Sequence, residues 1–423
     1  DDDREMKLSQ LPVVWQRLYF PHWPQFDVSA GKHFPLLTST VLSKPNDIDE
    51  WQRRGSVAVG PVYYRRGENL KMDLPEEQTV NRLIERWARP LEKGADGVWI
   101  DELCGYPTPQ SLKAVNLEMK ALKKLREKYP DKLISSAVGG AILREYAAGH
   151  KTAGALVTSE MYGEFHNMVH GSRNIKRRID QRIETMRNTD LIFERGYQKQ
   201  ATTPDQWKQH GGIILLSTNH VGGGIWEEPA VARMENYVRY IKKTAPEMPG
   251  IGFWSSGSTR NYMEKVGFFK AAERMAEKYY VRPVVDVRNI FFSNYEPTVE
   301  EPVKIHVGIH NVGGMDARNL QLNLYAVGPE SRHHDIGTIE INRLGTGFDV
   351  IEHNGEHIKF IEKHGNTYGL LPGKSHVTFP SRQTKTCEWT PPLSGYYKII
   401  AEVKPAEEVT ILTGRYQKEI LVK

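Results

Sequence analysis

Up to about Arg282, short apolar runs alternate with stretches whose apolar residues recur every three or four positions. The apolar runs are Phe34–Thr40, Ser56–Tyr64, Gly97–Glu102, Leu133–Val138, Ala155–Met161, Leu191–Tyr197, Ile213–Asn219 and Gly250–Ser255. Each is apolar nearly throughout, as a parallel strand covered on both faces must be. Val13–Phe20 also reads as a strand, either as an extra N-terminal segment or as one that shifts the strand count by one. Between the runs, Val80, Leu83, Ile84, Trp87 and Leu91 define one amphipathic helix, and Leu112, Val115, Met119, Leu122 and Leu125 a second. Ile175, Ile179, Ile183 and Met186 mark a third, Val231, Met234, Val238 and Ile241 a fourth, and a last one is expected over Arg260–Tyr280. Eight strand–helix units predict an α/β fold of the (β/α)8 TIM-barrel type. A doubly wound sheet is the runner-up, but Thr38-Ser39-Thr40-Val41 offers no Gly-rich phosphate turn after the first certain strand.

Beyond Pro283 the period changes from helical to two. Val303, Ile305, Val307 and Ile309 alternate with polar residues, as do Leu320, Leu322 and Leu324, then Ile339 and Ile341. With Asn311-Val312-Gly313-Gly314 as a turn, this predicts an all-β sandwich of immunoglobulin-like type. The predicted division is therefore a TIM-barrel catalytic domain over 1–282 and a sandwich over 283–423. Gly345–Gly373, rich in Gly, His and Asn, is expected to form a long loop or hairpin excursion.

Two segments resemble known families. The stretch from Val285 to Tyr325, with Asn311-Val312-Gly313 and the later Gly395-Tyr396-Tyr397, resembles the adhesion-type (CARDB-like) immunoglobulin-like modules of secreted bacterial enzymes. Asp96-Gly97-Val98-Trp99-Ile100-Asp101-Glu102 looks like the "D-G-hydrophobic-x-hydrophobic-D" strand of many barrel glycoside hydrolases. That resemblance implies a catalytic acid at the C-terminal end of the strand.

In such a barrel the chemistry sits at the C-terminal strand ends. Those ends carry Asp101 and Glu102, Glu160, Glu194-Arg195, and Asn219-His220. Glycoside cleavage needs two carboxyl groups, one to protonate the leaving oxygen and one to act as nucleophile or base. Asp101 is read as nucleophile, base or electrostatic stabiliser, and Glu102 or Glu160 as the acid. Strand alternation places Trp99 and Asp101 on one face and Val98, Ile100 and Glu102 on the other. The aromatics Tyr63, Tyr64, Tyr106, Tyr162, Trp226 and Trp254 fall near the same rim, where ring faces stack on sugars. Arg65, Arg66 and Arg195 offer recognition of a substrate carboxylate or sulfate. In the sandwich, Trp389, Tyr396 and Tyr397 are read either as glycan contacts or as core.

The formal net charge of +5 comes from interspersed charges without a basic run, so no nucleic-acid partner is expected. No apolar run approaches the roughly 20 residues of a membrane span. His166 and His170 stand four apart, but without an H-E-x-x-H pattern no metal is expected, and no cofactor motif appears. Cys104 and Cys387 fall in different predicted domains, which argues against a disulfide framework. The chain starts Asp1-Asp2-Asp3, which points to a removed signal peptide and a secreted or periplasmic protein. The expected partner is a carbohydrate substrate; oligomeric state is not addressed by the sequence. A polysaccharide lyase and a non-catalytic glycan-binding barrel remain open alternatives.

Overall fold

The computed structural model describes residues 18–19, 37–39, 48–49, 52–53, 57–101, 103, 109–138, 144–161, 174–189, 191, 211–217, 228–246, 248, 251–254, 275, 277–345, 359–363, 366–370, 377–378, 381–404, 406 and 408–423. They divide into two compact units at Glu277/Lys278.

Among the described residues, the first unit contains eight strands: β1 (Leu18–Tyr19), β2 (Leu37–Ser39), β3 (Val57–Tyr63), β4 (Gly97–Asp101), β5 (Leu133–Val138), β6 (Leu156–Met161), β7 (Gly211–Ser217) and β8 (Ile251–Trp254). Every ladder among them is parallel. The order is β1-β8-β7-β6-β5-β4-β3-β2. Each strand thus lies beside its sequence neighbour except across the β1/β2 gap, where Cα atoms still approach within 8 Å. Among the described residues no hydrogen-bonded ladder closes that gap.

The strand count is reached differently from the sequence expectation. The Val13–Phe20 run supplies β1, paired with β8 through Leu18↔Ile251 and Tyr19↔Gly252. The expected strand at Leu191–Tyr197 lies, but for Leu191, outside the described residues; β6 and β7 pair directly from Leu156↔Gly211 to Met161↔Leu216.

Between the strands run α1 (Arg66–Asn69), α2 (Glu76–Glu92), α3 (Pro109–Lys128), α4 (Arg144–Thr152), α5 (Asn174–Asn188) and α6 (Glu228–Thr244). On α2 the residues Val80, Leu83, Ile84, Trp87 and Leu91 are all buried. With Val115, Leu122 and Leu125 of α3 and Val62, Val98 and Ile100 of the strands, they form one continuous core. Each such side chain contributes roughly 1.5–3 kcal/mol by leaving water.

Asp96 and Gly97, which open the motif strand, are structural. Asp96 accepts hydrogen bonds from the Ala58 backbone N–H and from Gln52, both at 3.0 Å. A Cβ at Gly97 would stand 2.7 Å from the Leu133 carbonyl oxygen. At the same N-terminal end of the sheet, Arg126 donates to the carbonyls of Tyr129, Pro130, Lys132, Ala153 and Gly154 at 2.6–3.2 Å. It thereby satisfies carbonyls of the turns that follow α3 and α4. Burial pushes its guanidinium down to about 10.

The second unit is a β-sandwich. One sheet has the order β16-β10-β9-β18 and the other β12-β11-β17-β19; β13-β14-β15 form a small sheet of their own. The strands are β9 (Val284–Phe292), β10 (Val303–Asn311), β11 (Ala317–Val327), β12 (His333–Leu344), β13 (Lys359–Lys363), β14 (Asn366–Leu370), β15 (Val377–Thr378), β16 (Arg382–Trp389), β17 (Gly395–Lys404), β18 (Thr410–Thr413) and β19 (Arg415–Val422). Val303, Ile305, Val307 and Ile309 meet Leu320, Leu322, Leu324, Ile399, Ala401 and Ile420 in a shared core. Asn311 pins the β10–β11 turn. Its Oδ1 accepts from the N–H groups of Val284 and Gly313, and its Nδ2 donates to the carbonyls of Met315 and Leu344. Gly313 is required there, since a Cβ would fall 2.0 Å from the Arg282 carbonyl oxygen.

Candidate functional site

Register places the candidate residues on faces. Along β4, Val98 and Ile100 join the helix-side core, so Gly97, Trp99 and Asp101 belong to the opposite, inner face. Tyr63 is the ladder partner of Asp101, and Pro61 that of Trp99. Trp99 pairs with Ser135 on β5, and Ala137 pairs with Thr158 on β6. Glu160 pairs with Leu215, Leu215 with Gly252, and Ser217 with Trp254. Tyr63, Asp101, Glu160 and Trp254 therefore occupy positions of one face, all at the C-terminal ends of their strands.

A direct contact shows that alternate strands meet across this face. The Trp99 indole Nε1–H donates to Thr158 Oγ1 at 3.1 Å, and Thr158 Oγ1–H in turn donates to the Ser136 carbonyl at 2.9 Å. Residues from alternate strands sharing one interior layer is the arrangement of barrel-like parallel sheets. Two residues further along β4 and β6, in the same direction, come Asp101 and Glu160. Both are positions of the same inner face.

Tyr63 stands at the mouth of this face, 45% exposed. Its phenol is pushed up to about 12, first by burial and then by the negative charge of Asp101. Its carbonyl accepts two hydrogen bonds from Arg86 of α2, at 2.9 and 3.3 Å, which fixes the end of β3.

Tyr64 does not belong to the site. Alternation sends it to the helix side, where it is 1% exposed. There its O–H donates to Glu118 of α3 at 2.5 Å. The fully buried Glu118 carboxylate also accepts from Arg66 Nε and Nη2 at 2.8 and 2.6 Å, and from the Tyr146 O–H at 2.8 Å. Arg66 further contacts the Tyr146 hydroxyl. Burial and then the Glu118 charge hold the Tyr64 phenol far above its ordinary range. Burial opposes the Arg66 charge, but the hydrogen bonds and charge of Glu118 outweigh it and raise the guanidinium. Arg66 is thus committed to an internal carboxylate, not to one on a substrate. Arg65 forms a surface ion pair with Glu68 at 3.2 Å, its own side chain 71% exposed.

The sandwich aromatics divide as well. Tyr397 and Trp389 are core residues, their rings 5.0 Å apart, which removes them as glycan contacts; Tyr396 is 70% exposed. Glu102, Tyr106, Tyr162, Glu194, Arg195, Asn219, His220 and Trp226 lie outside the described residues, as do Cys104, His166 and His170. Among the described residues no group of three or more His, Cys, Asp or Glu is arranged to hold a metal ion, and no helix is long and apolar enough to cross a membrane.

Sequence reasoning missed the Glu118 network and the buried His150, whose Nε2 lies 2.6 Å from Ser136 Oγ and whose Nδ1 lies 2.7 Å from the Tyr146 carbonyl. A signal for the first existed. Glu118 falls three residues after Val115 and four before Leu122, inside the apolar stripe of α3.

No family model and no curated protein matches the chain. Solved structures with some likeness include a GH18 chitinase from Pseudoalteromonas aurantia, 12% identical, over 61% of this chain and 99% of that one, TM-score 0.39. A GH5-4 broad-specificity endoglucanase from Clostridium longisporum is 12% identical over 61% and 88%, TM-score 0.40. A CARDB domain from Pyrococcus furiosus is 16% identical over 34% and 91%, TM-score 0.23. Scores of this size decide neither fold nor activity, so the functional reading stands on the chain's own residues.

Proposed function

We propose that this chain is a glycoside hydrolase whose carboxylate pair is Asp101 and Glu160, set at the C-terminal mouth of a (β/α)8 barrel and followed by an immunoglobulin-like sandwich. One observation carries the reading. Asp101 and Glu160 stand at strand ends, two residues beyond the hydrogen-bonded Trp99 and Thr158, at positions of one face of an eight-stranded parallel sheet. Glycosidic cleavage asks for two carboxyl groups from different strands facing one substrate bond. In this reading Asp101 is the nucleophile, base or electrostatic stabiliser and Glu160 the general acid. Half-exposed Tyr63 supplies a ring beside them for the sugar. Barrel closure is supported by the near approach of β1 and β2. The immunoglobulin-like assignment is supported by the Tyr397 O–H, which donates to the Leu393 carbonyl four residues upstream at 3.0 Å, in the manner of a tyrosine corner.

A lyase using Tyr63 as its base fits less well. A phenol held at about 12 is a poor proton acceptor near neutrality.

The test is a panel of polysaccharides assayed for new reducing ends and for ultraviolet absorbance together. Reducing ends without absorbance are expected, with Asp101→Asn and Glu160→Gln each lowering kcat by about 10²–10⁴-fold. An absorbing unsaturated product would replace the hydrolase with a lyase. Activity that survives both substitutions would remove the proposed pair.

A further inference from the structure

We propose that Trp99 and Thr158 are positioning residues: their hydrogen bond ties β4 to β6 two residues before Asp101 and Glu160 and sets the spacing of the strand ends that carry that pair. The inference rests on the reading of Asp101 and Glu160 as the catalytic pair and assigns the pair a fully buried support.

Three hydrogen bonds from side chains join three neighbouring strands in a closed loop. The Trp99 indole Nε1–H of β4 donates to Thr158 Oγ1 of β6 at 3.1 Å. The Thr158 hydroxyl donates to the Ser136 carbonyl of β5 at 2.9 Å. The Ser135 hydroxyl, also on β5, donates to the Val98 carbonyl of β4 at 3.1 Å. Trp99, Thr158, Ser135 and Ser136 are all 0% exposed. The bond from β4 to β6 needs room to pass over β5. The sequence leaves that room, because the β5 partners of Trp99 and Thr158 are the small residues Ser135 and Ala137. A branched or aromatic side chain at either position would compete with the indole for the space.

Backbone ladders fix β4 against β5 and β5 against β6. They leave the distance from β4 to β6 to the twist of the sheet, which varies from one strand pair to the next. A direct bond between the outer two of the three strands removes that freedom. The two side chains suit the task. The indole is a rigid plane with a single donor, and a buried donor left unmade is costly. Thr158 is β-branched and stiff at χ1, and its one hydroxyl accepts from β4 while donating to β5. Asp101 follows Trp99 by two residues and Glu160 follows Thr158 by two, so a change in strand spacing at the bonded pair is carried to both carboxylate positions. Two carboxyl groups acting on one glycosidic bond work at a set separation, about 5–5.5 Å or ~6.5–9.5 Å according to whether one is the nucleophile or activates water. A misplacement of about 1 Å can cost roughly 10²-fold in rate. Trp99 and Thr158 are closed to a substrate, so their effect falls on the chemical step and not on binding.

Thr158→Val keeps the shape of the side chain and deletes its hydroxyl, whereas Thr158→Ser keeps the hydroxyl and deletes the methyl. On a polysaccharide that the parent chain cleaves, Thr158→Val is expected to lower kcat by about 10–10²-fold with KM within about twofold. Thr158→Ser should restore most of the loss. Trp99→Phe deletes the donor, and its effect should not multiply with that of Thr158→Val, because each removes the same bond. Chemical unfolding of each variant gives its folded fraction, to which kcat is referred. A parent-like kcat in Thr158→Val overturns the proposal. So does a Thr158→Ser as impaired as Thr158→Val, since the side chain then acts by packing, and so do losses that multiply in the double variant. Failure of the catalytic reading looks different: Asp101→Asn and Glu160→Gln keep the kcat of the parent, whatever the Thr158 variants do.

Discussion

Tyr63 and Tyr64 are consecutive residues with the same side chain, and the end of β3 sends them to opposite faces of the sheet. On the inner face, Tyr63 is half exposed beside Asp101. On the helix side, Tyr64 is closed in core and bonded to a carboxylate that water does not reach. Both faces carry acids, hydroxyls and aromatics, and both raise their phenols above the ordinary value. What separates them is saturation. Glu118 receives hydrogen bonds from Tyr64, Arg66 and Tyr146 and has no access for a substrate. On the inner face Tyr63 is 45% exposed. A perturbed group marks a reactive site only when a reactant can approach it; the helix-side cluster holds the elements that present the inner one.

The sharpest way to break this contrast is to remove Glu118. Glu118→Ala leaves Arg66 charged in a largely buried place and strips the acceptor from two phenols. Breaking a buried pair from one side typically costs about 3–5 kcal/mol. The loss should appear in the first transition of chemical unfolding, assigned to the first unit by its tryptophans. A cost below about 1 kcal/mol would mean that the network holds little together, and the division of labour between the faces would fail.

How far this organisation is legible before folding depends on which force sets each part. The apolar stripe of α2 is legible because burial alone decides it, and the period-two alternation of β10 and β11 is legible for the same reason. Asp101 is placed by the alternation of β4, which needs only Val98 and Ile100 as references. Tyr64 is not placed, because reading β3 as running through Tyr64 toward a rim treats both tyrosines alike. Alternation from Val62, a core residue, would have separated them. The Glu118 cluster joins β3, α1, α3 and α4 from distant parts of the chain, so only the carboxylate on an apolar stripe announces it.

A smaller effect sharpens the comparison through pH. His150 is fully buried on the helix side, with Nδ1–H donating to the Tyr146 carbonyl and Nε2 accepting from the Ser136 hydroxyl. Burial pushes its pKa down to about 4, and the Tyr146 hydrogen bond offsets only part of that. The unfolded chain binds this proton near 6.5, the folded one only near 4. The stabilisation is therefore complete above pH 6.5 and is lost as pH falls toward 4. At 1.36 kcal/mol per unit the loss amounts to about 3 kcal/mol. His150→Gln, which cannot titrate, should narrow its stability gap to the parent by that amount between pH 7 and 4. Parallel stability–pH curves for the two proteins would show that the imidazole is not held neutral.

The smallest expected effect is the most discriminating. Tyr64→Phe removes one of several donors to Glu118 and keeps the ring against Trp87, whose centroid lies 5.7 Å away. Hydrogen bonds to charged groups contribute about 1.5–3 kcal/mol, and with Arg66 and Tyr146 still in place the low end is expected. Activity at neutral pH should be unchanged. Tyr63→Phe should do the reverse, leaving stability within about 0.5 kcal/mol, as exposed positions do, while lowering activity at neutral pH. Two identical substitutions, one residue apart, would then report on two functions. If Tyr64→Phe moved the activity profile, or Tyr63→Phe only lowered stability, the faces would not be chemically separate, and the carboxylate on the helix side would have to be reconsidered as part of the site.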